Sequence, residues 1–359
     1  MEKIRLLVVD DSLVIRRALR ECFRSDPEIE VIGVAENGLK ALEQIKNLRP
    51  DVVTLDIEMP EMDGLETLKS LRNQGSTVPI IMFSKYTSQG ATATLEALEL
   101  GASDVVAKPE THGGKGSSCE VVRRQLTTRI RALGRRAHGS LAPQSTLSQE
   151  IAASVTTDFR PTVSIEAVGI SVSTGGPTAL IEIASNLSPD IEVPIFITQH
   201  MPPMFTKFLA ERLSARGTLP AFEATDGMVA QPGHIYIAPG NFHIQVDRQD
   251  STVLVNLSQA AHENSCRPSA DVMLRSLAMT YGSNLLSIVM TGMGQDGRRG
   301  CEVVKKAGGT VVAQDQESSL VWGMPRAVIS AGLHDAVMPL SAMAQLINES
   351  CSKPKKEQK

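Results

Sequence analysis

Short, β-branched apolar runs alternate with amphipathic stretches along most of this chain, and that rhythm is satisfied by parallel strands joined through covering helices. In the first third the runs read as strands Arg5–Val9, Glu30–Ala35, Asp51–Leu55, Ile80–Phe83 and Asp104–Ala107. Between them, Leu39, Leu42, Ile45 and Leu48 recur at helical spacing, and Pro50 ends that helix. A second alternation starts at Glu166, where Ala167–Val172, Pro194–Thr198, Leu286–Thr291 and Thr310–Ala313 are apolar enough to be buried parallel strands. The section from 219 to 258 departs from this, with short alternating runs broken at Asp226-Gly227, Pro232-Gly233 and Pro239-Gly240. That pattern predicts antiparallel hairpins inserted into the second α/β region.

At 359 residues the chain exceeds what one hydrophobic core usually serves. Two α/β domains are expected, at 1–116 and 164–350. Residues 117–136 read as a helix carrying Arg123, Arg124, Arg129, Arg131, Arg135 and Arg136, a basic run best taken as a solvated face. From 137 to 163 periodicity gives way to Ser, Thr, Ala and Pro, so 117–163 is read as helix plus interdomain linker. The end, 351–359, with KPKKEQK, is expected to be a disordered tail. A net charge of -4 argues against a nucleic-acid partner. The opening MEKIRLLVVDDS has too short an apolar run for a signal peptide, and no stretch reaches the ~18 apolar residues of a spanning helix. A cytoplasmic protein without membrane insertion is expected. Its five scattered cysteines read as reduced thiols.

Chemistry gathers at strand ends. Asp10 and Asp11 close the first strand, Asp56 the third; Ser84 follows the fourth and Lys108 the fifth. In an open parallel sheet those carboxyl ends meet in one crevice. Three carboxylates there call for a hard cation, and Mg2+ suits a site that must also receive a phosphoryl group. Asp56 can then attack phosphorus, while Lys108 and Ser84 hold the phosphoryl oxygens. VVDDS at 8–12, LDIEMPEMDGLE at 55–66, MFS at 82–84 and AKP at 107–109 resemble the response-regulator receiver family. The resemblance implies a flavodoxin-like sheet of order 2-1-3-4-5, phosphorylation of Asp56 by a histidine kinase, and a cis Lys108–Pro109 bond. The family usually has an aromatic residue three positions before the lysine, where this chain has Val105.

The second half carries another set. AVGISVSTGGP takes a buried strand into a Gly-Gly-Pro turn and a helix, placing Ser173, Thr174 and Gly175 where free N–H groups and the helix dipole favour negative charge. Taken alone, this could be a phosphate-binding turn or a plain cap. Two further strand ends bear His200 and Asp296, so a serine, an imidazole base and an orienting carboxylate can meet at one edge. Asp315 is the closest competitor for the acid. Among the other histidines, His234 and His243 suit structural or substrate contacts, His112, His138 and His334 lie in or near the linker or near the end, and His262 has no supporting pattern. The order Ser173, His200, Asp296 and the lack of a G-x-S-x-G elbow set this apart from α/β-hydrolases.

STGGP at 173–177, ITQHMPP at 197–203, PGHIYIAPG at 232–240, RPSADV at 267–272, TGMGQDG at 291–297 and GMPRAV at 323–328 resemble the catalytic domain of the chemotaxis protein-glutamate methylesterases. The resemblance implies nucleophile Ser173, base His200 and acid Asp296, with the Met293 backbone near the oxyanion. It further implies glutamine deamidation and methyl-accepting chemotaxis receptors as substrates, with no cofactor for the hydrolase. The family usually has Gly-Ala before the serine, here Ser171-Val172, and histidine before Arg-Pro-Ser, here Cys266. A non-catalytic binding domain and a DNA-binding response regulator are the rival readings; no basic recognition helix follows residue 136.

Overall fold

The structure is a computed structural model that describes residues 2–84, 87–108, 117–137 and 155–352. It divides into two compact units, Met1–Gln144 and Ser145–Lys359. In the first, strands β1 (Ile4–Val9), β2 (Ile29–Ala35), β3 (Val52–Asp56), β4 (Ile80–Ser84) and β5 (Asp104–Ala107) form one parallel sheet of order β2-β1-β3-β4-β5. Helices α1 (Leu13–Phe23), α2 (Gly38–Leu48), α3 (Gly64–Asn73), α4 (Ser88–Glu99) and α5 (Ser117–Ala137) connect and cover it. The fold class is as expected, because central strands such as β3 and β4 are buried throughout and so need a helix on each face.

Caps fix where these helices start. Ser12, Asn37 and Asp63 each accept a backbone N–H from the first turn, and Asp63 with Glu66 completes a reciprocal capping box. Arg49, in a left-handed conformation, ends α2 directly before Pro50. Gly64 is required at the start of α3: a Cβ there would fall 2.1 Å from the Asp56 carbonyl oxygen. The arginines of α5 are less solvated than their charge suggested. Arg129 pairs with Asp104, and Arg131 and Arg135 both pair with Glu28, so one side of the basic run staples α5 to the sheet while Arg123 and Arg124 stay exposed.

The second unit has strands β6 (Ala167–Val172), β7 (Ile195–Gln199), β8 (Ala221–Glu223), β9 (Ile235–Ile237), β10 (His243–Gln249), β11 (Thr252–Ser258), β12 (Leu285–Val289), β13 (Thr310–Gln314) and β14 (Ala336–Met338). Its helices are α6 (Gly176–Asn186), α7 (Phe205–Arg216), α8 (Ala270–Tyr281), α9 (Arg298–Lys306), α10 (Met324–Ser330) and α11 (Leu340–Cys351). Seven strands make a sheet of order β14-β13-β12-β6-β7-β9-β8, parallel at every pairing, and β10 and β11 form a separate antiparallel hairpin. The expected insertion is thus one hairpin. Residues 221–237, read with it, instead extend the parallel sheet, since β8 and β9, three residues each, are too short for their alternation to reveal how they pair.

Of the stretch read as linker, residues 155–163 are described, and there Val155 bridges Val337 on β14. Residues 138–154, the tail beyond Ser352 and the Lys108–Pro109 bond lie outside the described residues. Cys22 is disulfide-bonded, against the reading of five free thiols, while Cys266, Cys301 and Cys351 are free. No helix among the described residues is long and apolar enough to cross a membrane.

Candidate functional site

The carboxyl edge of the first sheet collects the five residues picked from sequence. Ligand oxygens of Asp10, Asp11 and Asp56 lie within 4.8 Å of one another, Asp11 exposed and the other two buried. Lys108 Nζ sits 2.8 Å from Asp10 Oδ2 and 2.6 Å from Asp56 Oδ2. Ser84 ends the neighbouring strand, buried. Burial pushes the Asp56 carboxyl up to about 6, against the pull of Lys108, and the negative charges of Asp10 and Asp11 add to the rise. One ammonium among three carboxylates leaves excess negative charge on oxygen donors, a set that fits a hard divalent cation such as Mg2+. Val105, at the usual aromatic position, is buried in β5.

In the second unit β6, β7 and β12 lie side by side, so Ser173, His200 and Asp296, which follow them, reach one edge. Ser173 is 8% exposed and its N–H donates to the Thr291 carbonyl at 3.0 Å. Gly175 takes φ +80° at the N-cap of α6, a conformation glycine adopts without strain, and this swings the chain from strand to helix directly after Ser173 and Thr174. Gln199 Nε2 donates to the Ser173 carbonyl at 3.0 Å and ties the ends of β6 and β7 together. Gly292 packs so closely that a Cβ on it would meet Ser173 Cβ at 2.9 Å. The next residue is Met293, whose backbone N–H makes no hydrogen bond among the described residues.

His200 and Asp296 are directly coupled, with Nε2 donating to Oδ2 at 2.7 Å. Asp296 is 2% exposed and is held from several sides. Its Oδ2 also accepts the Ala270 N–H at 2.7 Å, and its Oδ1 accepts from Ser269 Oγ at 2.7 Å, Asn264 Nδ2 at 2.8 Å and the Asp271 N–H at 3.2 Å. The carboxylate therefore caps the N-terminus of α8 from another part of the chain, where free N–H groups and the helix dipole favour its charge. Burial alone would raise the Asp296 carboxyl, but the His200 bond and these donors hold it well below the usual carboxylate range. Burial would likewise favour neutral His200; hydrogen bonding to Asp296, with a smaller contribution from Cys266, instead raises its proton affinity. Among the described residues, the ring nitrogens of His200 bond Asp296 and Cys266, and Ser173 Oγ makes no hydrogen bond to the ring.

The rival residues are engaged by other partners. Asp315 accepts from Ser318 N and Oγ. His243 is buried, donating from Nε2 to the Ala261 carbonyl and accepting the Ser269 N–H on Nδ1. His234 stacks between Phe222 and Tyr236. Asp226 accepts the Leu257 N–H, and Asp271 accepts the Gly300 N–H and so joins α8 to α9. Sequence reading left Gln199, Thr291, Asn264 and Ser269 without roles. Gln199 and Ser269 stood inside conspicuous motifs, but nothing in a motif says which backbone atom an amide or hydroxyl will reach.

Comparison with known proteins agrees with this division of labour. The response regulator receiver domain family matches residues 6–113, and the CheB methylesterase family matches residues 168–347. A protein-glutamate methylesterase/protein-glutamine glutaminase of Trichodesmium erythraeum is 45% identical over 97% of this chain and 99% of its own length. One from Nocardioides is 45% identical over 95% of this chain and 93% of its own length. Among solved structures, the Thermotoga maritima CheB methylesterase catalytic domain aligns with TM-score 0.51 at 42% identity, covering 52% of this chain and 99% of that one.

Proposed function

Because this chain belongs to the protein-glutamate methylesterase/protein-glutamine glutaminase family, joining a receiver domain to a CheB methylesterase domain, we propose that it hydrolyses glutamate methyl esters on methyl-accepting chemotaxis receptors under phosphorylation control. The observation that carries the reading is the His200–Asp296 pair at the strand edge that also presents Ser173. Ser173 Oγ attacks the ester carbonyl carbon as its proton passes to His200 Nδ1, the nitrogen that Asp296 leaves free. The tetrahedral oxyanion is met by backbone N–H groups of the Thr174–Gly175 turn and of Met293. Collapse expels methanol, protonated by His200, and water activated by the same imidazole then releases glutamate and restores the serine. A glutamine side chain passes through the same acyl-enzyme with ammonia leaving.

In the receiver, Asp10, Asp11 and Asp56 would hold Mg2+, which neutralises the carboxylates and draws charge from phosphoryl oxygens. Asp56 receives the phosphoryl group from a histidine kinase as an acyl phosphate, while Lys108 pairs with its oxygens and Ser84 hydrogen-bonds one of them. The enzyme then works in the cytoplasm, where receptor methylation sites and kinase are both accessible. Methanol release from a methylated receptor fragment tests the reading. Release should rise when a small phosphodonor and Mg2+ are added to the full chain, and Asp56→Asn should keep the basal rate but lose the rise. A protein that binds the fragment without releasing methanol would be a non-catalytic regulator.

A further inference from the structure

His200 has two ring nitrogens, and Asp296 takes Nε2. Any proton drawn from a serine hydroxyl must arrive at Nδ1. The polar atom beside Nδ1 is Cys266 Sγ, at 3.7 Å, a distance within reach of a sulfur hydrogen bond. Cys266 is held there firmly. Its N–H donates to the Glu263 carbonyl at 2.8 Å and its carbonyl accepts the Glu263 N–H at 3.1 Å, closing a tight loop in which Asn264 and Ser265 both take positive φ. Both carboxylate oxygens of Glu263 accept from Arg275 on α8, at 2.7 and 2.6 Å. Asn264 donates to Asp296 and Asp271. The loop that aims the sulfur and the carboxylate that holds the imidazole are thus anchored on the same helix.

Resting on the reading of His200 as general base, we infer that Cys266 is a positioning residue for that base: its sulfur engages the nitrogen left free by Asp296 and governs when that nitrogen can accept the serine proton. The thiol donates to the Asn264 carbonyl at 3.5 Å, which leaves its sulfur to accept from a protonated Nδ1; while that contact holds, His200 cannot take the serine proton, and the base is ready once the ring has lost its own. Cys266 adds to the rise in His200 proton affinity that Asp296 causes. Among the described residues, Asp296 and Cys266 are the side chains that hydrogen-bond the ring; behind them Asn264 donates to Asp271, and Glu263 pairs with Arg275.

The test is the pH profile of kcat/KM for methanol release by the full chain and by Cys266→Ser and Cys266→Ala. Both substitutions should move the acid limb to lower pH by roughly one unit, as removal of a group that favours the protonated ring should. A structural role alone would lower the rate or the stability and leave the limb in place, and an unmoved limb in both variants overturns the inference. A second measurement does not depend on turnover: the titration of the His200 ring in the full chain, followed by NMR. Cys266→Ala should move it to lower pH. A His200 titration that is the same with and without the cysteine would defeat the thiol–imidazole pair even if the protein proved to have no esterase activity.

Discussion

Two buried aspartates at the ends of parallel strands meet opposite fates in this molecule. Asp56 shares one ammonium with Asp10 and its carboxyl is pushed up to about 6 by burial. Asp296 accepts from His200, Asn264, Ser269 and two backbone N–H groups, and is held well below its ordinary range. Depth does not separate them, since each is 2% exposed. Donors do. An under-supplied carboxylate is poised to gain a cation and a phosphoryl group, whereas a saturated one can only hold its neighbour still. In the proposed scheme one sheet edge prepares a reactant and the other a support.

The largest effects should come from groups that exchange bonds or protons. Ser173→Ala and His200→Ala are each expected to cut kcat for methanol release by on the order of 10⁴-fold or more while Asp56 still takes up phosphate from a small donor. Substantial turnover by Ser173→Ala would remove the nucleophile from the scheme. Asp296→Asn should be severe but milder, because a support can be partly replaced by what surrounds it; a loss equal to that of His200→Ala would mean that Asp296 is a reactant after all. Asn264→Ala tests the saturation itself. Losing one of several donors to a buried carboxylate should cost about 2 kcal/mol, read as roughly a thirty-fold fall in kcat with KM little changed. An unaltered kcat would show that the remaining donors suffice.

Much of this was legible in the sequence, because both sites are built from residues that end apolar runs. Once VVDD, LD, FS and AK were read as strand ends, the crevice followed from the geometry of a parallel sheet. Ser173, His200 and Asp296 followed the same way. What sequence withheld was the donor count. Asn264 reaches Asp296 across thirty-two positions, and Ser269 leaves its own helix uncapped to donate to the same carboxylate. Such contacts depend on how a loop turns, and the left-handed Asn264-Ser265 pair is not written in any periodicity. The β8–β9 extension was missed for a related reason: three-residue strands are too short to display the period that distinguishes a parallel core from a hairpin.

The smallest expected effect bears on stability and completes the contrast. Asp56 holds its proton more tightly folded, at about 6, than the ordinary 3.8 of the unfolded chain. Between those values the folded state binds more protons, so stability falls as pH rises through the window, and above it the full cost of an ionised, buried Asp56 is present. Asp56→Asn removes that charge. Without divalent cation at pH 7 it should stabilise the receiver transition by on the order of 1 kcal/mol, less than the shift alone suggests because the amide also gives up the ion pair with Lys108. Calorimetry of the full chain in EDTA reads this directly. The gain should vanish near pH 4, where the wild-type carboxyl is itself largely neutral in the folded state. Adding Mg2+ should raise the wild-type transition and close the gap, since a cation that binds only the folded site stabilises by mass action. Asp296→Asn at pH 7 should do the reverse and lower the transition of the second unit, because it strips a carboxylate from donors built around it. If Asp56→Asn destabilised the receiver in EDTA, Asp56 would be a satisfied carboxylate like Asp296, and the distinction between reactant and support would fail.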